Sequence, residues 1–355
     1  MKVIADKIAS TTRNAQLTRE LNLSDKIIAR EGYIVAGRVL NEKTTYNTLE
    51  LCSGRQSRLC RGDIIAGVLG PRNALRGYSG IVPESVKPGD VLHVLNLGGV
   101  IGQCTSENPA LGKPTEVEIL GGVLHYPSFQ HRIGRPASIL GGAIQPLEQL
   151  HSSVPLIMIT GTCMEAGKTR AACEIVKFLT HKGVRVAAGK LSGISLMRDI
   201  LEMADFGAEQ VLNFTDVGVV CTTPANVVSS AKAIVTHLSA SEPDCIVLEF
   251  GDGIMGEYGV MSLLNDAELM SFSRAHVLAA NDQVGAWGAA KFLEGKCPPI
   301  DIICGPVTDN DVGKRFIKEK LGLRAANAIK EPAELGEVVL KKLFPGETSE
   351  SQLIN

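Results

Sequence analysis

Leu156-Ile157-Met158-Ile159-Thr160-Gly161-Thr162-Cys163-Met164-Glu165-Ala166-Gly167-Lys168-Thr169 sets an apolar run of strand length directly before a loop that closes on Gly-Lys-Thr. Ala172, Ile175, Val176 and Leu179 then recur at helical spacing, and Gly183 stands where the chain must turn back. Strand, glycine-bounded loop and helix in that order are the context a phosphate-binding loop requires. Its backbone N–H groups curl around phosphate oxygens, and the helix N-terminus adds its positive dipole end. Gly161, Thr162, Glu165, Ala166 and Gly167 then form the cradle. Lys168 is expected at the β- and γ-phosphates, and the Thr169 hydroxyl on Mg²⁺. Five residues separate Gly161 from Gly167 where the ordinary pattern has four, so Thr162 takes the place of the usual first glycine.

Working outward, apolar runs at 154–160, 184–190, 217–221, 245–250, 276–280 and 300–304 alternate with helical patterns, which predicts a parallel sheet covered by helices. Thr223-Pro224 reads as an N-cap with proline at the first helical position, opening a helix towards Leu238. Phe316, Ile317 and Leu321 before Gly322 give a further helix with its stop, and Pro332 opens a last one. Upstream, residues 33–123 carry short Val, Ile, Leu and Gly runs between turn signals, predicting a small barrel or sandwich. Two stretches there, 61–70 and 88–97, each place a Gly-Asp turn before an apolar strand. The pattern loosens from about residue 127. The expected fold class is thus α/β, with a β-rich N-terminal domain over 1–150 and a doubly wound, mostly parallel P-loop NTPase domain over 151–355.

The loop, with its five-residue spacing, is similar to the G-T-D-T-x-x-G-K-T loop of dethiobiotin synthetases, and the likeness runs from about Val154 to Gly322. That resemblance implies ATP with Mg²⁺, a small carboxylate substrate and a homodimer. It also implies roles for single residues. Lys190, in Gly189-Lys190-Leu191-Ser192-Gly193, stands at the family's second lysine and would face the γ-phosphate or the substrate carboxylate. Glu249, in Leu248-Glu249-Phe250-Gly251-Asp252-Gly253, partly matches E-G-x-G-G and would ligate or orient Mg²⁺. Asn310 would meet the adenine. Cys163 replaces the family's loop aspartate, and Phe250 and Asp252 replace small residues where substrate should lie. The chain also resembles P-loop proteins with an added N-terminal domain, some of them linked to N-acylation of D-glutamate.

Position alone also favours Glu249, because it ends an apolar strand at the carboxyl edge where open α/β sheets bind ligands. Asp199, Asp205 and Asp216 lie between the second and third expected strands, and Asp216 is the one expected on the metal. Asp252 and Glu257 occupy a glycine-rich loop that either folds over substrate or merely connects. Arg55, Arg58, Arg61, Arg72 and Arg76 either bind an anion or mark solvated strand edges.

Composition bounds the rest. A formal net charge of -2 gives no electrostatic reason to expect nucleic acid or an anionic membrane as partner. Nine cysteines, scattered singly without CxxC pairs, read as reduced thiols, and the first twenty residues lack a signal-type apolar stretch, so a cytoplasmic protein is expected. The seven histidines show no metal-ligand spacing, and no NKxD signature is present. The leading expectation is an ATP- and Mg²⁺-dependent ligase in which Lys168, Lys190 and Glu249 serve phosphorylation of a small carboxylate, captured by an amine. The alternative is a nucleotide-driven switch, chaperone or regulatory module acting on a protein partner.

Overall fold

A computed structural model describes residues 1–127 and 133–346. Two compact units emerge. The first comprises Met1–Gln145 with Ile194–Arg198 and Phe214–Thr222, and the second comprises Pro146–Gly193, Asp199–Asn213 and Thr223 onward.

In the first unit, strand Thr115–His125 pairs antiparallel with both Ile34–Val39 and Val91–Val94. Ile34–Val39 continues to Ile64–Leu69, which runs parallel to Val100–Ser106, and that strand returns to Val91–Val94. The pairings therefore close into a ring of five strands. The two Gly-Asp stretches open two of these strands with the same chemistry. Asp63 Oδ2 accepts from Cys60 N at 2.6 Å and Asp90 Oδ2 from Lys87 N at 2.9 Å. Gly62 and Gly89 both sit at positive φ, 90° and 91°, where a side chain would be strained. Of the clustered arginines, Arg72 is buried and donates to the Tyr46 hydroxyl and the Leu95 carbonyl.

Among the described residues the second unit has seven parallel strands: β1 (Leu156–Gly161), β2 (Val186–Ser192), β3 (Gln210–Asn213), β4 (Cys245–Phe250), β5 (Ser273–Ala279), β6 (Ile302–Cys304) and β7 (Arg324–Ala325). Their order is β3-β2-β4-β1-β5-β6-β7. Helices α1 (Lys168–His181), α2 (Arg198–Asp205) and α3 (Val227–Ser239) alternate with the early strands. Then follow α4 (Val260–Leu264), α5 (Ala267–Ser271), α6 (Gln283–Leu293), α7 (Asp311–Phe316) and α8 (Pro332–Leu343).

The apolar stripe Ala172, Ile175, Val176 and Leu179 of α1 is fully buried against alternate strand residues such as Ile157, Ile159 and Val247. Each such aliphatic side chain contributes on the order of 2 kcal/mol by leaving water. α3 covers the opposite face, where Gly189 leaves room for Ile234. Helices on both faces of a parallel sheet make this a doubly wound α/β unit.

Two sequence expectations need correction. Val217–Cys221 is not a strand. The edge strand is Gln210–Asn213, and Phe214–Val217 is a 3-10 turn. The 217–221 run is apolar because Val220 belongs to the core of the first unit, and a buried run looks strand-like whichever core receives it. The helix placed after Thr223-Pro224 begins at Val227 with Asn226 at its N-cap, because the Asn226 side chain accepts from Thr223 N at 2.8 Å and closes a turn first.

Two tests of this packing arise here. Gly313 lies within α7, where alanine normally gains about 1 kcal/mol of helix propensity. A Cβ at that position would stand 1.7 Å from the Val307 carbonyl oxygen. Gly313→Ala is therefore expected to destabilise by about 1–3 kcal/mol, read as a lower thermal midpoint; a rise would contradict the packing.

His276 is fully buried, with Nδ1 donating to the Pro298 carbonyl at 2.9 Å and Nε2 accepting from the Thr160 hydroxyl at 2.8 Å. Burial holds its pKa below the ordinary histidine value. The unfolded chain then binds a proton that the folded chain refuses, so stability falls as pH drops below about 6.5. His276→Gln should flatten that acid limb in unfolding curves, and an unchanged limb would contradict the assignment.

Candidate phosphate-binding site

β1 ends at Gly161, and α1 starts at Lys168 with Gly167 as its left-handed N-cap at φ 93°. Glu165 is also left-handed, at φ 61°, an uncommon conformation for a residue with a Cβ. These two reversals curl the chain over the start of the helix. Lys168 folds back over the curl, its ammonium donating to the Cys163 carbonyl at 2.8 Å. Gly161 makes room for it, since a Cβ there would lie 2.9 Å from the Lys168 side chain.

Register assembles the charges. Lys190 on β2 stands beside Glu249 on β4, and Glu249 beside Ile159 on β1. All three strands are parallel, so their carboxyl ends meet at one edge, next to the loop. The Lys190 ammonium lies 3.5 Å from Glu249 Oε1 and forms an ion pair with Asp199 at the start of α2. Glu249 is 2% exposed, and its Oε2 has no hydrogen-bond partner. Burial pushes its pKa up, opposed chiefly by Lys190. Burial likewise pushes the Lys168 pKa down, with Glu249 the main opposing charge.

A buried, half-satisfied carboxylate beside a threonine hydroxyl is a donor set suited to a hard divalent cation. Thr169 is among the groups that hold the Glu249 pKa down against burial, which puts its hydroxyl in the surroundings of that carboxylate. Among the described residues no cluster of three or more His, Cys, Asp or Glu forms a closed metal cage. Mg²⁺ needs none, because it binds through one or two carboxylates, waters and substrate phosphates.

Asp216 belongs to the first unit and not to the second. It is held in the first unit by Arg13, at 2.8 Å. Asp199, a candidate from the same stretch of sequence, is buried at the start of α2 and pairs with Lys190. Asn310 caps α7, its side-chain oxygen accepting from Val312 N at 3.0 Å and Gly313 N at 3.3 Å. That oxygen is committed to the helix start. Asp252 sits in left-handed backbone at φ 52° and, with Glu249, contributes negative charge at Lys168.

Residues that sequence reasoning passed over complete the surroundings. The Asn281 amide donates to Cys163 Sγ at 2.9 Å, which orients the loop thiol. Gly253 passes so close that a Cβ would be 2.5 Å from the Thr162 carbonyl oxygen, and at Gly305 one would be 2.3 Å from that of Ala166. Both glycines follow carboxyl ends of strands, which is the signal that could have found them.

No protein-family model matches the chain, and no curated protein matches it. Solved structures do overlap it. The signal recognition particle receptor FtsY from Elizabethkingia anophelis is 12% identical, covering 58% of this chain and 69% of its own at a TM-score of 0.38. Cell division protein FtsY from Thermotoga maritima is 17% identical, covering 57% and 73% at 0.37. The signal recognition particle 54 kDa protein from Aeropyrum pernix K1, in complex with GDP, is 15% identical, covering 57% and 52% at 0.36. At this distance the likeness says nothing of what the chain binds or does. The second unit is a doubly wound parallel sheet whose central strand runs through a glycine-bounded loop into a helix. Among the described residues no helix is long and apolar enough to cross a membrane.

Proposed function

We propose that the second unit binds ATP with Mg²⁺ in the loop from Gly161 to Thr169 and transfers or hydrolyses its terminal phosphoryl group. The observation that carries this reading is the gathering of Lys168, Lys190 and Glu249 at one strand edge beside that loop, with Glu249 Oε2 buried and unpartnered. Lys168 and Lys190 neutralise oxygens of the transferring group, and the loop backbone holds the other phosphates. Positioning and charge supply nearly all of phosphoryl-transfer catalysis, so no covalent step on the protein is needed. Thr169 and Glu249 hold the cation, which when bound offsets phosphate charge. Loss of turnover in Lys168→Ala with the fold retained is the direct test.

Two uses of that chemistry remain distinct. The nucleotide-driven switch is favoured by one observation: Ile194–Arg198 and Phe214–Thr222, which follow the carboxyl ends of β2 and β3, group with the first unit. A rearrangement at Lys190 when phosphate departs has a path along the chain itself. The ligase rests on the resemblance to dethiobiotin synthetases, and with it come the small carboxylate, the capturing amine and the homodimer. Turnover stimulated by a carboxylic acid with an amine supports the ligase. Stimulation by a protein partner alone supports the switch.

A further inference from the structure

Glu50 ends the strand Thr48–Glu50 of the first unit and is fully buried. A buried carboxylate is costly unless its oxygens are satisfied, and here both are. Oε1 accepts from Arg198 N at 2.8 Å, while Oε2 accepts from Met197 N at 2.7 Å and from the Ser10 hydroxyl. Those two amides close the segment Ile194–Arg198, and Arg198 opens α2. Amides at a helix start have no partner within the helix, so the carboxylate both satisfies them and complements the positive end of the helix.

The same segment is held again upstream. The buried Asn96 amide donates to the Ser195 carbonyl at 2.6 Å, and Gly98 admits that carbonyl where a Cβ would lie 2.3 Å from it. The residue after Arg198 is Asp199, whose carboxylate pairs with Lys190.

We propose that Glu50 is a positioning residue for the phosphoryl site: it fixes the first turn of α2, thereby Asp199, and through Asp199 the ammonium of Lys190. The functional half rests on the reading of Lys190 as a residue facing phosphate; the link from Glu50 to Lys190 does not. A glutamine at position 50 turns an N–H₂ towards one of two backbone donors, so one amide loses its acceptor and the turn loosens. Lys190 then spends more time away from Asp199. Nucleotide is still held by the loop and Lys168, so the loss falls on the step and not on binding.

The test uses the full chain and two readouts. In the first, lysines are acylated with a water-soluble active ester and the rate at each is followed by mass spectrometry. Glu50→Gln is expected to raise the rate at Lys190 about fivefold while leaving exposed Lys177 unchanged, as loss of one charge-assisted contact would do. The double variant with Asp199→Asn should exceed Asp199→Asn alone by no more than about 1.5-fold, since residues acting through one another are non-additive. Glu50→Asp keeps the charge with a shorter reach and should fall between, which covers poor folding of the glutamine variant.

In the second readout, kcat for Mg²⁺-dependent ATP turnover should fall about tenfold in Glu50→Gln with KM changed less than about twofold, the pattern of an interaction made in the transition state. Unchanged Lys190 acylation in both Glu50 variants, or additive effects of Glu50 and Asp199, overturns the link. Changed acylation with kcat unchanged overturns the functional half. A wild-type chain without nucleotide turnover sinks the proposed function, while the acylation data still decide whether Glu50 positions Lys190.

Discussion

Lys168→Ala is expected to lower nucleotide turnover by about a thousandfold or more, a loss on the scale of one preorganised charge in a dry phosphoryl-transfer site. Lys168 is 6% exposed, folds over its own loop and shares the site with Lys190, Glu249 and Asp252. Alanine removes the ammonium nearest the curl without removing a core side chain, so the thermal midpoint should move little. Circular dichroism and turnover measured on one preparation separate the two effects. Retained turnover in a folded variant would mean that the loop does not hold the reacting phosphates.

Glu249→Gln should move activity and stability in opposite directions. Burial raises the pKa of this carboxylate, so keeping it ionised in the folded chain costs stability. The sign follows from linkage: a raised folded pKa favours folding below the unfolded value, and that benefit is lost as pH rises through the folded value. At neutral pH the neutral amide therefore holds the thermal midpoint level or raises it. Turnover should nonetheless fall by about a hundredfold or more, with a higher Mg²⁺ requirement, because the carboxylate offered to the cation has lost its charge. A coincident fall of midpoint and turnover would point to a structural role for Glu249. Functional sites are where a protein tolerates such destabilising groups.

How much of this was legible in the sequence follows from the range of the interactions concerned. The strand Leu156–Gly161, the loop and α1 are local, and their period and glycine punctuation announce them. Lys190 is singled out in the sequence only by the resemblance to dethiobiotin synthetases, and Glu249 also by its place near the carboxyl end of an apolar strand; parallel pairing sets the two side by side. Asp216 stands before an apolar run, which favours it over Asp199 in the sequence, but that run packs in the core of the first unit, and Arg13, far away in sequence, holds the carboxylate. Nothing near Asn310 in sequence announces the helix cap that its side-chain oxygen forms with the amides of Val312 and Gly313. Glu50 could not be found at all, since its partners lie about 150 residues on.

The central claim is that the loop from Gly161 to Thr169 holds a magnesium nucleotide, and a calorimetric titration of the full chain tests it most directly. ATP with Mg²⁺, and GTP with Mg²⁺ as the comparison, are titrated into the wild type and into Lys168→Ala. Saturable binding of ATP at one site per chain, weakened by omission of Mg²⁺ and lost in Lys168→Ala, is the expected result. No binding of either nucleotide to the wild type, or equal ATP binding by the variant, would contradict the account.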